Sequence, residues 1–239
     1  MMISVVLPAY KEAENLKTIL PAIHETLAEL SHEVLVIDTT EPMDETRQVC
    51  EMYHAIYVPR EGGNTYGDAI RTGFTHAAGI YTVVMDADGS HSPKDILRFL
   101  KEMEGGKYDL IIGSRYCKGG YTDNPLILRA MSWALNVTYR IIFHLKVMDV
   151  SDSFRMYHTD LLQQLHFECD NFDIVEEILI KLSLVCSPFK VKEVPISFNK
   201  RIAGESKRDL VKFIFSYLAT IRKLLAIHRQ AKTQQKVLQ

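Results

Sequence analysis

Two aspartates, Asp86 and Asp88, follow a straight apolar run in VVMDADGSHSP (residues 83–93). Carboxylates this close repel each other unless something positive lies between them. A divalent cation with oxygen ligands meets that need, and Mg²⁺ or Mn²⁺ commonly takes one or two carboxylates together with substrate phosphates. A solvated turn is the plain alternative for an isolated D-x-D, so the neighbouring stretches matter. PAYKE (residues 8–12) follows another apolar run, Asp38 ends EVLVID, and Arg60 precedes EGGNTYGDA, whose Gly62, Gly63 and Gly67 allow a backbone to approach a ligand. Together they favour a nucleotide. The chain has no G-x-x-x-x-G-K-[ST], which excludes a P-loop, and PAYKE stands where a nucleotidyltransferase would need glycines.

The elements that must carry these residues alternate along the chain. Strands are expected at 3–10, 33–38, 55–59, 80–85 and 109–113, the second with the continuous apolar run of a strand buried on both faces. Helices are expected at 13–30, 44–54, 66–78 and 92–104, the last capped by Ser92 with Pro93 at its first position. This alternation implies an α/β fold with right-handed crossovers and a mostly parallel sheet, in which ligands sit beyond the carboxyl ends of the strands. Asp86 and Asp88 lie at such an end. The second half is less regular: a helix over 126–147 mixes Trp133, Tyr139 and Phe143 with Arg140 and Lys146, residues 150–157 read as irregular, a helix covers 173–184, and FKVKEVPISF (residues 189–198) alternates as a strand. The last helix carries Leu210, Ile214, Tyr217, Ile221 and Leu224 on one stripe. One domain over 1–228, ending in that amphipathic helix, and a polar, disordered tail over 229–239 are the expected organisation.

With 239 residues, 47% hydrophobic and 24% charged, the chain can bury one sizeable core and lacks the composition of a disordered protein. Cys50, Cys117, Cys169 and Cys186 form no C-x-x-C and read as reduced thiols, not a zinc or disulfide frame. The beginning of the chain lacks signal-peptide character, and no apolar run reaches about 18 residues, so no spanning segment is expected. The net charge of −2 hides an asymmetry: from Asn199 onward ten Lys/Arg face two Asp/Glu, a local +8, which leaves −10 on the rest. A basic end suits phosphates or an anionic surface, and equally a solvated helix face.

MDADGSHSP (residues 85–93), GSRYCKGG (113–120), SFRMY (153–157) and EVPISFNKRIAGESK (193–207) together resemble the family 2 inverting glycosyltransferases of the GT-A fold, in particular the dolichyl-phosphate mannose synthase-like branch. The likeness runs from about residue 3 to 227. It implies that Pro8, Tyr10 and Glu12 line the base and ribose side of a nucleotide-sugar pocket, with Asp38 accepting from the base. Asp86 and Asp88 would hold Mg²⁺ or Mn²⁺ on the donor diphosphate, with Ser90 near the metal. Arg115, Arg129 and Ser132 would receive the acceptor's phosphate, and Arg201 and Lys207 would face donor and acceptor phosphates. Asp88, Arg115 and Arg201 are the residues expected to carry catalysis. The implied partners are a nucleotide-sugar, a polyprenyl phosphate and a membrane surface or membrane-anchored partner at the cytoplasmic face, with no nucleic acid.

The chain departs from the family pattern at several places, among them a few extra residues between Glu177 and Glu193. Thr39 stands where relatives carry a second aspartate after Asp38, Lys11 replaces an asparagine, and S-D-S-F-R replaces T-G-G/S-F-R, which puts Asp152 beside the implied phosphate site. Two rival readings remain at this level. Transfer to a saccharide or protein hydroxyl would need a carboxylate base, with Asp152 or Glu177 as its source. A catalytically degenerate nucleotide-sugar-binding scaffold would bind donor without turnover, and Thr39 is its support.

Overall fold

The computed structural model describes residues 2–201 and 219–229. Seven strands form one sheet: β1 (Met2–Pro8), β2 (Ser31–Asp38), β3 (Ile56–Pro59), β4 (Tyr81–Val84), β5 (Leu110–Ser114), β7 (Arg155–His158) and β8 (Val191–Pro195), while β6 (Tyr121–Thr122) and β9 (Ser197–Phe198) pair separately. The order is β3-β2-β1-β4-β7-β5-β8. Every neighbouring pair is parallel except those of β7, which runs antiparallel to β4 and to β5. The expected mostly parallel α/β sheet is therefore present, with one reversed strand near its centre.

Apolar side chains fill both sides of the sheet, so the helices lie in two outer layers. One face buries Ile3, Val5 and Leu7 of β1 with Leu16, Leu20 and Ile23 of α1 (Ala13–Thr26) and Ile96, Phe99 and Met103 of α4 (Lys94–Glu104). The other buries Val6, Leu35 and Ile37 with Ile70 and Phe74 of α3 (Tyr66–His76), Tyr139 and Phe143 of α5 (Leu126–Phe143), and Ile178 and Leu179 of α7 (Ile174–Val185). Two shorter helices, α2 (Thr46–Met52) and α6 (Thr159–Gln163), complete these layers, and residues 219–229 are helical. Leu224 of that last segment is fully buried with the second face. The upstream half of the expected amphipathic helix, with Leu210, Ile214 and Tyr217, and residues 230–239 of the expected tail lie outside the described residues.

Several local expectations change. Residues 150–157 contain β7 and are not wholly irregular. Phe154 and Met156 enter one face and Tyr157 the other, a strand alternation that Arg155 masks. Arg155 is fully buried and its guanidinium donates to the carbonyls of Val175 (2.9 Å) and Val150 (2.7 Å). Ser92 does not cap α4: Pro93 holds the N-cap position with no side-chain bond, and Ser92 offers only its carbonyl, to the Asp95 N–H at 3.1 Å. The helix expected over 126–147 stops at Phe143, where His144 turns left-handed with φ 54°. The long strand over 189–198 breaks into β8 and β9.

The carboxyl ends of β1, β2, β3 and β4 open on one edge. There α3 starts from a capping box between Thr65 and Asp68. Gly67 lets it press against residues 169–170, since a Cβ at that position would come within 2.2 Å of the Cys169 carbonyl oxygen.

Away from that edge, His24 and His32 form a chain: His24 Nδ1–H donates to His32 Nε2 (2.8 Å), whose Nδ1–H donates to the Leu30 carbonyl (2.8 Å). Burial, and then the His32 charge, lower the His24 pKa. A lowered folded-state value means that the unfolded chain takes up the proton first. The contribution is thus complete above the ordinary histidine pKa of about 6.5 and is lost as pH falls through the lowered value. The urea midpoint is expected to drop between about pH 7.5 and pH 5.5, and His24→Gln to shrink that drop.

Candidate active site

The turn after β4 holds the acidic pair. Met85 N–H bonds the Val6 carbonyl (3.0 Å), which keeps this turn beside the end of β1. Asp86 Oδ1 accepts from Ser153 Oγ–H at 2.9 Å. Asp88 is 5% exposed; its Oδ1 accepts from the Ser90 N–H (3.0 Å) and its Oδ2 meets Arg201 Nε at 3.1 Å. Asn199 N–H donates to the Ser90 carbonyl (2.9 Å), so the segment carrying Arg201 is fastened to the same turn. Arg201 and Asp88, far apart in sequence, are brought together.

The groups offered at the turn are carboxylates and a hydroxyl, and the buried Ser90 Oγ has no hydrogen-bond partner among the described residues. Oxygen donors alone, with one left unsatisfied, fit a hard cation such as Mg²⁺ or Mn²⁺ that completes its shell from a diphosphate. Among the described residues no three His, Cys, Asp or Glu side chains cluster as a metal cage.

On the nucleotide side, Pro8 ends β1 and Tyr10 is partly exposed beyond it. Glu12 accepts from Asn15 Nδ2 (2.5 Å) at the start of α1. Asp38 is fully buried at the end of β2; Tyr57 donates to its Oδ2 (3.2 Å), and its Oδ1 has no partner among the described residues. Burial raises its pKa, against the opposing pull of the Thr39 N–H and the Tyr57 hydroxyl. Thr39 closes its own loop by donating to the Glu41 carbonyl (2.7 Å). Thr40 and Asn64 exchange two bonds, and Arg60 donates to the carbonyls of Ala9, Asn64 and Thr65, so one guanidinium ties together the loops after β1 and β3.

Arg115 departs from its expected part. Its Nε and Nη2 pair with both oxygens of Asp149 (2.8 Å each), Nε also lies 3.0 Å from Asp152 Oδ2, and Nη2 reaches Ser151 Oγ at 2.9 Å. All three charged side chains are buried. Burial works against the Arg115 charge, but the two carboxylates outweigh it and push its pKa upward. Burial likewise works against Asp152, yet the Arg115 charge and His91 bring its pKa down to about 2. As a receiver of an acceptor phosphate Arg115 is already compensated; the geometry makes it a strut under the site. Ser132 Oγ lies 3.1 Å from Ser151 Oγ and so joins this network, while Arg129 is exposed one turn earlier on α5. Lys207 lies outside the described residues.

The sequence reading missed Asp149, Ser151 and Ser153. Their signal was a D-x-S-D-S alternation of acids and hydroxyls just ahead of Phe154 and Arg155. Neither carboxylate considered as a hydroxyl-activating base is available for that work. Glu177 is fully buried, accepts from the N–H groups of Glu168 and Cys169, and pairs with Lys181 at 2.8 Å. Asp152 is held between Arg115 and His91.

The aromatic residues of α5 divide. Tyr139 and Phe143 are core, whereas Trp133 is 62% exposed and, with Leu126, Ile127 and Ile141, leaves an apolar outer face on the helix that carries Ser132. No helix among the described residues is long and apolar enough to cross a membrane.

Residues 4–165 match the family described as Glycosyl transferase family 2. The chain is 33% identical over 232 residues to a dolichol-phosphate mannosyltransferase of Pyrococcus furiosus, across 94% of this chain and 64% of that protein. It is 30% identical over 216 residues to a polyprenol monophosphomannose synthase of Mycolicibacterium smegmatis, across 85% of this chain and 79% of that protein. The chain thus spans just under two thirds of the length of the first relative and more of the second. Among solved structures, glucosyl-3-phosphoglycerate synthase from Mycobacterium tuberculosis aligns with TM-score 0.74 at 17% identity in its complex with Mg²⁺ and uridine diphosphate, covering 94% of this chain and 79% of that one. Its complex with Mn²⁺, uridine diphosphate and glucosyl-3-phosphoglycerate gives 0.71 at 19%, covering 94% and 80%. At such identity these structures speak to the shared fold.

Proposed function

Because this chain belongs to glycosyl transferase family 2, we propose that it moves a hexose from a nucleotide-sugar of the GDP-mannose or UDP-glucose type to a polyprenyl phosphate at the cytoplasmic face of a membrane. The observation that carries this reading is the meeting of Arg201 with Asp88 at 3.1 Å, which sets a cation from the far end of the chain against the acidic turn. Asp86, Asp88 and Ser90 would hold Mg²⁺ or Mn²⁺, which when bound supplies charge stabilisation to the departing diphosphate.

The remaining work falls to side chains of this protein. Pro8, Tyr10, Glu12 and Asp38 line the nucleotide side. Ser132 and Arg129 take the acceptor phosphate, and Arg201 and Lys207 serve both phosphates, with Arg115 as the strut that holds Ser151 beneath Ser132. A phosphate monoester, with a second pKa of about 6, is already largely dianionic at neutral pH and needs no base. The obstacle is repulsion between two anions, which arginines reduce while their planar forks orient the phosphate. One phosphate oxygen forms the new bond to the anomeric carbon as the bond to the nucleoside diphosphate breaks on the opposite side, so the configuration inverts. The buried, paired state of Asp152 and Glu177 disfavours a hydroxyl acceptor.

The outer face of α5, with Leu126, Ile127, Trp133 and Ile141, supports contact with lipid or with a membrane-anchored partner. The test is release of nucleoside diphosphate by the purified protein with Mn²⁺ or Mg²⁺, across UDP- and GDP-hexoses, with and without polyprenyl phosphate. Lipid-dependent release with one donor is expected. Release that ignores the lipid would defeat the reading. Trp133→Glu is expected to weaken sedimentation with anionic vesicles while sparing turnover of a short, water-soluble prenyl phosphate.

A further inference from the structure

Three consecutive residues, Ser151, Asp152 and Ser153, reach three different parts of the site. Ser151 touches Arg115 and Ser132, and Ser153 donates to Asp86. Asp152 stands between them with Oδ2 on Arg115 and Oδ1 at 3.2 Å from His91 Nε2. His91 is itself buried, stacked on Phe154 (ring centroids 4.7 Å) and edge-on to Phe198 (5.2 Å). On its other side the Asp86 backbone N–H points at His91 Nδ1 at 3.3 Å. The imidazole thus links the floor carboxylate to the first residue of the acidic turn.

We propose that Asp152 is a positioning residue for the Asp86–Ser90 turn and acts through His91. The inference rests on the metal-dependent transferase reading of that turn. An amide hydrogen aimed at Nδ1 requires a lone pair there, so the single ring proton belongs on Nε2, facing Asp152. The Asp152 carboxylate, 3.2 Å from Nε2 but outside hydrogen-bond geometry, attracts that proton by its charge, and Phe154 and Phe198 fix the ring plane. Groups behind a metal ligand act in this way by orienting the ligand without touching the metal.

Two measurements test it. In the unmodified protein labelled with ¹⁵N-histidine, and with the His91 signal assigned through His91→Phe, the ring proton is expected on Nε2. A proton found on Nδ1 overturns the proposal without any substitution at position 152. Mn²⁺ affinity in the presence of a nucleoside diphosphate is then read by electron paramagnetic resonance of the free ion. Asp152→Ser is expected to weaken it about tenfold, His91→Phe by a similar factor, and the pair by no more than either alone. Additive effects, or unchanged Mn²⁺ affinity with only a lowered melting temperature, overturn the proposal. If the unsubstituted protein binds no Mn²⁺ at all, the metal reading of the turn fails instead, a result that the ring proton does not share.

Discussion

Replacing Asp88 with alanine is expected to lower kcat/KM for sugar transfer by about a thousandfold, roughly 4 kcal/mol of transition-state stabilisation, while the protein stays folded. The two halves of that expectation have separate grounds. Asp88 is the better buried of the two acids and sits between the Ser90 N–H and Arg201. Without its carboxylate the turn keeps one acidic ligand, and Arg201 loses the contact that aims it at the phosphates. Stability suffers little because the Arg201 side chain, 31% exposed, returns to water. Nucleoside-diphosphate release beside a thermal melt measures both. Activity within tenfold of the parent protein would remove Asp88 from the metal site.

Arg115→Ala is expected to behave in the opposite way, with a loss of about 3–5 kcal/mol in stability. The alanine leaves Asp149 and Asp152 buried, charged and without their guanidinium. A role confined to phosphate recognition predicts the reverse, a raised acceptor KM in a normally stable protein, so urea denaturation separates the two. The pH dependence gives a second check. In the parent protein Asp152 has its pKa lowered to about 2 by Arg115 and His91 against the effect of burial. Its contribution is present above the ordinary carboxylate value of about 4 and is lost as pH falls towards 2. In Arg115→Ala burial dominates and the folded-state pKa rises above the unfolded one. Protonation then favours the fold, so the deficit of the variant is expected to be widest near neutrality and to narrow on acidification.

What the sequence made legible was local. The strand ends, the acidic turn and the glycine-broken loop before α3 each announce themselves within about ten residues. Arg115 did not, because its meaning lies in partners 34 and 37 positions away. GSRY reads the same whether the arginine faces a ligand or two buried acids. β7 was obscured by the charge of Arg155, which two backbone carbonyls accommodate inside the sheet. α5 showed its aromatic residues but not which way each points: Trp133 faces out and Tyr139 in, a distinction that the neighbouring layers impose. Asp152 looked like added negative charge beside a phosphate site, and its burial between a cation and an imidazole turns it into part of the floor.

The reversed strand also bears on the order in which the molecule is made. β7 fills the slot between β4 and β5, so these two strands, both synthesised earlier, have no direct pairing with each other. A nascent chain that has emerged only as far as β5 therefore holds β1 to β4 with one open central edge and β5 with none of its eventual neighbours. Open edges of this kind are places where chains associate wrongly, and pairings distant in sequence are slow to form. The same event that closes the gap delivers Ser151, Asp152 and Ser153 to the site. Closure of the gap between β4 and β5 and delivery of these three residues are one step, and fragments ending before Ser151 are expected to aggregate rather than to bind donor.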